Sequence, residues 1–303
     1  MQYDTKTKST KKNFCKKGFT LVDLLVSVTI IGLLLSLLLP AVQAVRESSR
    51  SASCKNNLRQ VSLGITSFEA RMRHLPIHKG PLASWVHWHN EILPDIEQAS
   101  LFSKIESEIR GGVEWDSLSG TKTRISIFEC PSDSRAVSLL YHEISNRLFA
   151  PTNYVGIVGQ SYLKNDGVFP SHHGGWEYGR PLKIKDIYDG LSNTLWLAER
   201  PLAARPIVGS WQCSQEYGHE SIGLFEFIDL SRMAPSLPFC GKSWFARGTP
   251  ENICDQFHPW SNHGSGSYFG KADGSIVWIS YSTDEKALRG LCTRANGDLS
   301  PPE

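Results

Sequence analysis

The chain has 303 residues, 40% of them hydrophobic and 20% charged, which leaves room for a sizeable core in one ordinary domain or two small ones. Its net charge of +2 is unevenly spread: six lysines against one aspartate put +5 on the first 18 residues, so the remaining 26 bases and 29 acids carry −3. The basic balance therefore belongs to the N-terminus and gives no ground for nucleic-acid binding.

Met1 to Lys17 is polar and rich in Lys and Thr, the composition of a targeting segment and not of a packed element. Lys16-Lys17 then meets Gly18-Phe19-Thr20-Leu21, an acid follows at Asp23, and sixteen uncharged residues run from Leu24 to Leu39. As a helix, the 21 residues from Phe19 to Leu39 would span about 31 Å, the thickness of a bilayer core. The lysines place residues 1–18 in the cytoplasm and everything beyond Pro40 on the exported side. Asp23, at the edge of the hydrocarbon, calls for a cationic partner; otherwise it snorkels to the membrane face. Val42-Gln43-Ala44 offers an alternative, a signal-peptidase site after an apolar core.

Pro40 interrupts the run, but the helical pattern resumes at Ala41, and a kink fits better than a stop. Cys54, Leu58, Val61, Ile65, Phe68 and Met72 recur at spacings of four and three, one apolar stripe on a helix that ends at His74-Leu75-Pro76. Small residues from Ser48 to Ser53 allow close approach of another helix or a solvated turn. Beyond Pro76 short runs such as Ala83–Trp88, Thr123–Phe128 and Asn153–Val158 read as strands and loops, with helices near Leu101–Ile109 and Thr283–Leu291. Asp273-Gly274 between two such runs predicts a tight hairpin with positive φ at both turn positions, and Gly297–Glu303 reads as a frayed tail. The fold class is α+β: a long N-terminal helix, its lower half transmembrane (19–39) and its continuation (40–75) packed on a β-rich head (76–303).

Ten histidines invite a metal reading through His87/His89, His172/His173 and His258/His263, but none has the spacing of a zinc module, and neither metal nor cofactor is expected. G-x-S-x-G, H-E-x-x-H and P-loop motifs do not occur, so no catalytic residues are assigned and the chain is not expected to be an enzyme. Asp186 and Asp189 suit either an acidic calcium loop or an aspartate-stabilised turn. Trp85, Trp88, Trp176, Trp211, Trp244 and Trp260 suit either binding loops or, as favoured here, the core. A cut after Gly18 would leave six of the seven cysteines on the exported side, an even number that suits an oxidising compartment and allows 15 pairings.

Several stretches carry a resemblance. They are Gly18-Phe19-Thr20-Leu21 with LLLPAVQAVRESSR, CKNNLRQVSLGI (54–65), ECPSD (129–133), TNYVGIVG (152–159), DGLSNTLWLAER (189–200), and His263 followed after nine residues by Asp273-Gly274. In this order they resemble the bacterial prepilin-type proteins, akin to type IV pilins and pseudopilins, that carry a C-terminal H-x9-D-G motif. The resemblance implies cleavage after Gly18 by a prepilin peptidase, methylation of Phe19, an assembly role for Asp23 where the family usually has glutamate, and a pilin-like body. It implies a Cys54–Cys130 disulfide, since both residues sit in recurrent segments, and a structural motif at His263, Asp273 and Gly274 in which the imidazole reaches back to the Asp273 turn. The resulting expectation is a structural subunit with its head outside the cytoplasmic (inner) membrane, partnered by the peptidase and by sibling pilin-like subunits. The alternative is a membrane-tethered module that never polymerises and binds a glycan or protein ligand.

Overall fold

A computed structural model describes residues 20–76, 87–113, 117–136, 138–142, 147–160, 164, 166–169, 181–204, 208–211, 221–223, 227–229, 238–242 and 245–295. The leader with Cys15, Gly18 and Phe19, the run at 83–86, His172, His173, Cys213, Trp85, Trp176, Trp244 and the tail 297–303 lie outside the described residues.

One helix, α1 (Leu21–Met72), runs through Pro40 without ending. The chain divides into two compact units within it, residues 1–46 and 47–303. In the first unit every described side chain from Thr20 to Arg46 is exposed, and the helix is long and apolar enough to cross a membrane. Its start is fixed by a reciprocal cap. Thr20 N and Oγ1 both donate to Asp23 Oδ2 (3.1 and 2.6 Å), and Asp23 N donates to Thr20 Oγ1 (3.2 Å).

The second unit contains α2 (Trp88–Glu91), α3 (Ala99–Arg110), β1 (Leu140–His142), β2 (Arg147–Phe149), β3 (Tyr154–Gly159), β4 (Leu195–Glu199), β5 (Ser221–Gly223), β6 (Phe227–Asp229), β7 (Phe239–Lys242), β8 (Gly266–Lys271), β9 (Ile276–Ser280) and α4 (Glu285–Leu291). A five-stranded sheet has the order β5-β3-β4-β8-β9, antiparallel except for the β3–β5 pair, and β1-β2 and β6-β7 form two small antiparallel pairs. β3 and β4 are buried along their whole length because both faces of the sheet are covered. On one side Tyr154, Trp196 and Leu197 join Cys54, Leu58, Val61, Ile65 and Phe68 of α1. On the other, Val155, Ile157, Leu195, Ala198 and Phe269 pack with Leu288 and Leu291 of α4.

The apolar stripe on α1 is therefore the docking face, with one change: Met72 is exposed, so the buried stripe ends at Phe68, one turn before the helix does. Arg73 leaves the helix in the left-handed region, with φ 61°. Two polar bonds fix the helix against the sheet. Tyr154 Oη donates to the Cys54 carbonyl (3.0 Å), and Trp196 Nε1 donates to Ser62 Oγ (2.8 Å), both buried. Thr123–Phe128 departs from the strand expectation. It ends in a 3-10 turn at Ser126–Phe128, where the Asn57 side chain of α1 donates to the carbonyls of Ser126 and Glu129, and it pairs with no strand among the described residues. The late hairpin forms as β8 and β9, but only Gly274 has positive φ (82°); Gly274 N donates to Lys271 O, a four-residue turn followed by a left-handed glycine. Trp88, Trp211 and Trp260 are buried, so these three fill the core.

If the stripe carries the docking, Leu58→Ala should cost about 3 kcal/mol, within the range for a buried leucine, whereas Leu63→Ala on the exposed face should cost under about 0.5 kcal/mol. Equilibrium urea unfolding of the two variants tests the contrast.

Candidate functional site

Four of the quoted segments meet beside the first turns of α1 in the second unit. Cys54 of α1 and Cys130 of the ECPSD loop form a disulfide across 76 residues of chain, with their Cα atoms 4.8 Å apart. Cross-linking a loop of that length is worth about 4.5 kcal/mol through the unfolded state on the chain-entropy relation. The loop that presents Cys130 is held from the TNYVGIVG segment. Asn153 Oδ1 accepts from Cys130 N (2.8 Å) and Asn153 Nδ2 donates to Asp133 Oδ2 (3.0 Å). Asp133 also accepts from Leu202 N and from Arg135 Nε, so its buried carboxylate is fully engaged.

His263 sits over this bridge. Its side chain is 3% exposed, its Nδ1 lies 3.0 Å from Glu47 Oε1 of α1, and its Nε2 lies 3.6 Å from Cys130 Sγ and 3.7 Å from Glu199 Oε1 at the end of β4. Glu199 is 2% exposed. Its Oε2 accepts from Tyr268 N (3.0 Å) and Ser267 Oγ (3.3 Å), while Oε1 is sealed from solvent with no hydrogen-bond partner. Glu47 is further held by Ser132 Oγ (2.9 Å) and by an ion pair with Arg50 (2.7 Å).

Burial opposes protonation of His263, but the carboxylates of Glu199 and then Glu47 outweigh it, and the imidazole pKa stands above its ordinary 6.5. Burial likewise pushes Glu47 up, yet Arg50, His263 and Ser132 hold it below the usual carboxylate range. An imidazolium between two carboxylates is a charged clamp. Both of its N–H groups face acceptors, so it holds its protons and offers no lone pair with which to act as a base.

The clasp expected between His263 and the Asp273 turn does not form. Asp273 Oδ1 accepts from Ser275 N and Ser275 Oγ (2.9 and 2.6 Å) and closes its own turn, while the imidazole engages Glu47 and Glu199. The histidine end of the motif instead bonds to α1, and the glycine end lies near the same helix: a Cβ added at Gly274 would come 3.9 Å from Thr66 Oγ1. The turn is also tied to the DGLSNT segment through Ala272 N to Thr194 O and Asp273 N to Leu191 O.

Other candidates stay apart from this corner. His89 is buried, its Nε2 is 3.1 Å from Tyr154 O, and burial holds its pKa down at about 3, so it is a neutral core histidine. His258 contacts Asp255 and Pro259, its near neighbours in sequence. Asp186 caps its own short helix and Asp189 accepts from Thr293, so these two acids serve separate local structures. Cys240 pairs with Cys254, and Cys292 is a buried thiol whose pKa burial pushes well up. Sequence reasoning missed Glu47, Glu199, Asn153 and Asp133. Each lies in a quoted segment, but no local spacing links residues 47, 130, 199 and 263.

A histidine whose folded pKa is raised contributes stability that is fully present below about pH 6.5 and is lost as pH rises through the folded pKa. Stability should therefore fall as pH is raised above about 6.5, and His263→Gln should flatten that slope. Urea unfolding of both proteins as a function of pH provides the check; an unchanged slope in the variant would place the effect elsewhere.

Residues 43–286 match the family described as "Protein of unknown function (DUF1559)", whereas no curated protein sequence and no solved structure matches the chain. The matched region takes in Glu47, both cysteines of the first disulfide, Glu199 and the whole H-x9-D-G stretch, and it leaves the Lys16–Leu39 segment outside. With four-fifths of its length so matched, the chain belongs to the DUF1559 family of proteins of unknown function.

Proposed function

We propose that this chain is a prepilin-like structural subunit, anchored by one membrane-crossing segment and cut after Gly18. The observation that carries the reading is the exposed apolar stretch of α1. From Leu24 to Leu39 it holds thirteen apolar or glycine residues without a charge, and none of these side chains is covered by the described residues of the rest of the chain. Such a surface is unfavourable in water and suits lipid or the packed helices of an assembly. The lysine-rich leader supports a cytoplasmic N-terminus at the inner membrane with the head exported, and the two disulfides suit that compartment.

In this reading the chain is a substrate of the prepilin peptidase and not an enzyme. Asp23 would register subunits through a Phe19 amine: both Thr20 donors take Oδ2, and Oδ1 would accept from that amine. The same cap favours a second reading. Because Asp23 is already stabilised within its own helix, it can stand at the membrane edge without a neighbour, as in a tethered, non-polymerising binding head.

Mass spectrometry of the mature N-terminus tests the processing step. A methylated Phe19 is expected, and a start at Val45 would overturn the reading in favour of signal-peptidase cleavage. Site-specific photocrosslinking from position 23 in membranes then separates filament from tether: adducts with sibling subunits support assembly, and monomers alone support the tether.

A further inference from the structure

The corner around His263 holds more ligand chemistry than a clamp requires. Sγ of Cys54, Sγ of Cys130, a carboxylate oxygen of Glu199 and a ring nitrogen of His263 all lie within 4.8 Å of one another. Glu199 Oε1 is the decisive atom. It belongs to a 2% exposed carboxylate, has no hydrogen-bond partner among the described residues, and lies 3.7 Å from His263 Nε2. A buried carboxylate oxygen left in this state calls for positive charge. With the disulfide closed, that charge is the proton on the imidazole.

We propose that reduction of the Cys54–Cys130 disulfide by a dithiol turns this corner into a Zn2+ site, ligated by Cys54 Sγ, Cys130 Sγ, Glu199 Oε1 and His263 Nε2. The inference is independent of whether the chain assembles. In the first step the dithiol supplies two electrons and two protons: the Cys54–Cys130 S–S bond breaks, both cysteines become thiols, and the reductant leaves as its own disulfide. Zn2+ then displaces the two thiol protons and any proton on His263 Nε2, which pass to solvent.

The donor set suits the ion. A borderline-soft divalent metal takes mixed thiolate, imidazole and carboxylate ligands. Tetrahedral bonds of about 2.3 Å to sulfur and about 2.0–2.2 Å to nitrogen and oxygen need donors roughly 3.3–3.8 Å apart. His263 Nε2 already lies 3.6 Å from Cys130 Sγ and 3.7 Å from Glu199 Oε1, and the main change required is that the two sulfurs separate. The outer support is also in place. Glu47 Oε1, 3.0 Å from Nδ1, holds the Nδ1–H tautomer that presents the Nε2 lone pair to the metal, and the Cys130 loop is held by Asn153.

The test is cobalt titration of the full-length protein in detergent micelles, oxidised and after anaerobic reduction with dithiothreitol and its removal. The reduced protein should take up one Co2+ per chain, with thiolate charge-transfer absorption and tetrahedral d–d bands that Zn2+ abolishes, while the oxidised protein shows neither. Glu199→Gln and His263→Gln should each weaken binding at least tenfold, and Glu47→Gln about 10- to 100-fold. Cys240→Ser with Cys254→Ser should leave the spectrum unchanged. Should a ligand variant fail to fold, X-ray absorption on the zinc-loaded wild type decides, with two sulfur and two nitrogen or oxygen neighbours expected. Reduced protein without thiolate bands, four sulfur neighbours, or cobalt binding unaffected in folded ligand variants would overturn the proposal.

Discussion

Everything in the second unit depends on how α1 is seated on the sheet. Burial of Leu58, Val61, Ile65 and Phe68 supplies the attraction, but apolar contact is non-directional, and a stripe that repeats every three or four residues tolerates a slide by one turn. Directional contacts remove that freedom. The Cys54–Cys130 bond, Tyr154 Oη on the Cys54 carbonyl, Trp196 Nε1 on Ser62 and Asn57 on the Ser126 and Glu129 carbonyls are each satisfied in one register only. A shift of one turn would break all of them at once and leave buried polar atoms unpaired, at about 1–3 kcal/mol each.

The H-x9-D-G stretch is explained by the same constraint. Its histidine contacts α1 at Glu47, and its glycine turn lies near Thr66 of the same helix. Along a helix these 19 positions measure about 28 Å. The eleven steps from His263 to Gly274, much of them in extended β8, cover about the same distance once the turn is allowed for. The number of intervening residues thus suits a span between two points along one helix, and the motif's two ends have no need to touch each other.

This accounts for what could be read in advance. The helix, its stripe and the late hairpin follow from local periodicity and turn chemistry, and the structure has them at Leu21–Met72, Cys54–Phe68 and Gly266–Ser280. The run at Thr123–Phe128 looks like a strand by composition, yet its carbonyls go to partners far away in sequence: Thr123 O accepts from Trp211 Nε1, Ser126 O from the Asn57 side chain of α1 and Phe128 O from Asn153 N. The charged corner is illegible for the same reason. Glu47, Cys130, Glu199 and His263 come from four separate elements, and nothing in the spacing of Glu199 within LWLAER marks it as a carboxylate that β4 carries into the interior.

Glu199 is also where the energetics are least settled by the fold alone. Asp133 offsets its desolvation with donors from Asn153, Leu202 and Arg135, but Glu199 Oε1 has only the charge of a neighbouring imidazolium. A purely structural corner would be better served by an amide or an apolar residue, since a buried ion pair with imperfect hydrogen bonding commonly contributes no net stability. A metal would change that balance. Held by the same two cysteines, it would close the same 76-residue loop as the disulfide and would also tie in β4 through Glu199 and the segment before β8 through His263. The seat of α1 would then keep its register in either redox state, and the buried carboxylate, costly when the bridge is closed, would become a ligand when it opens.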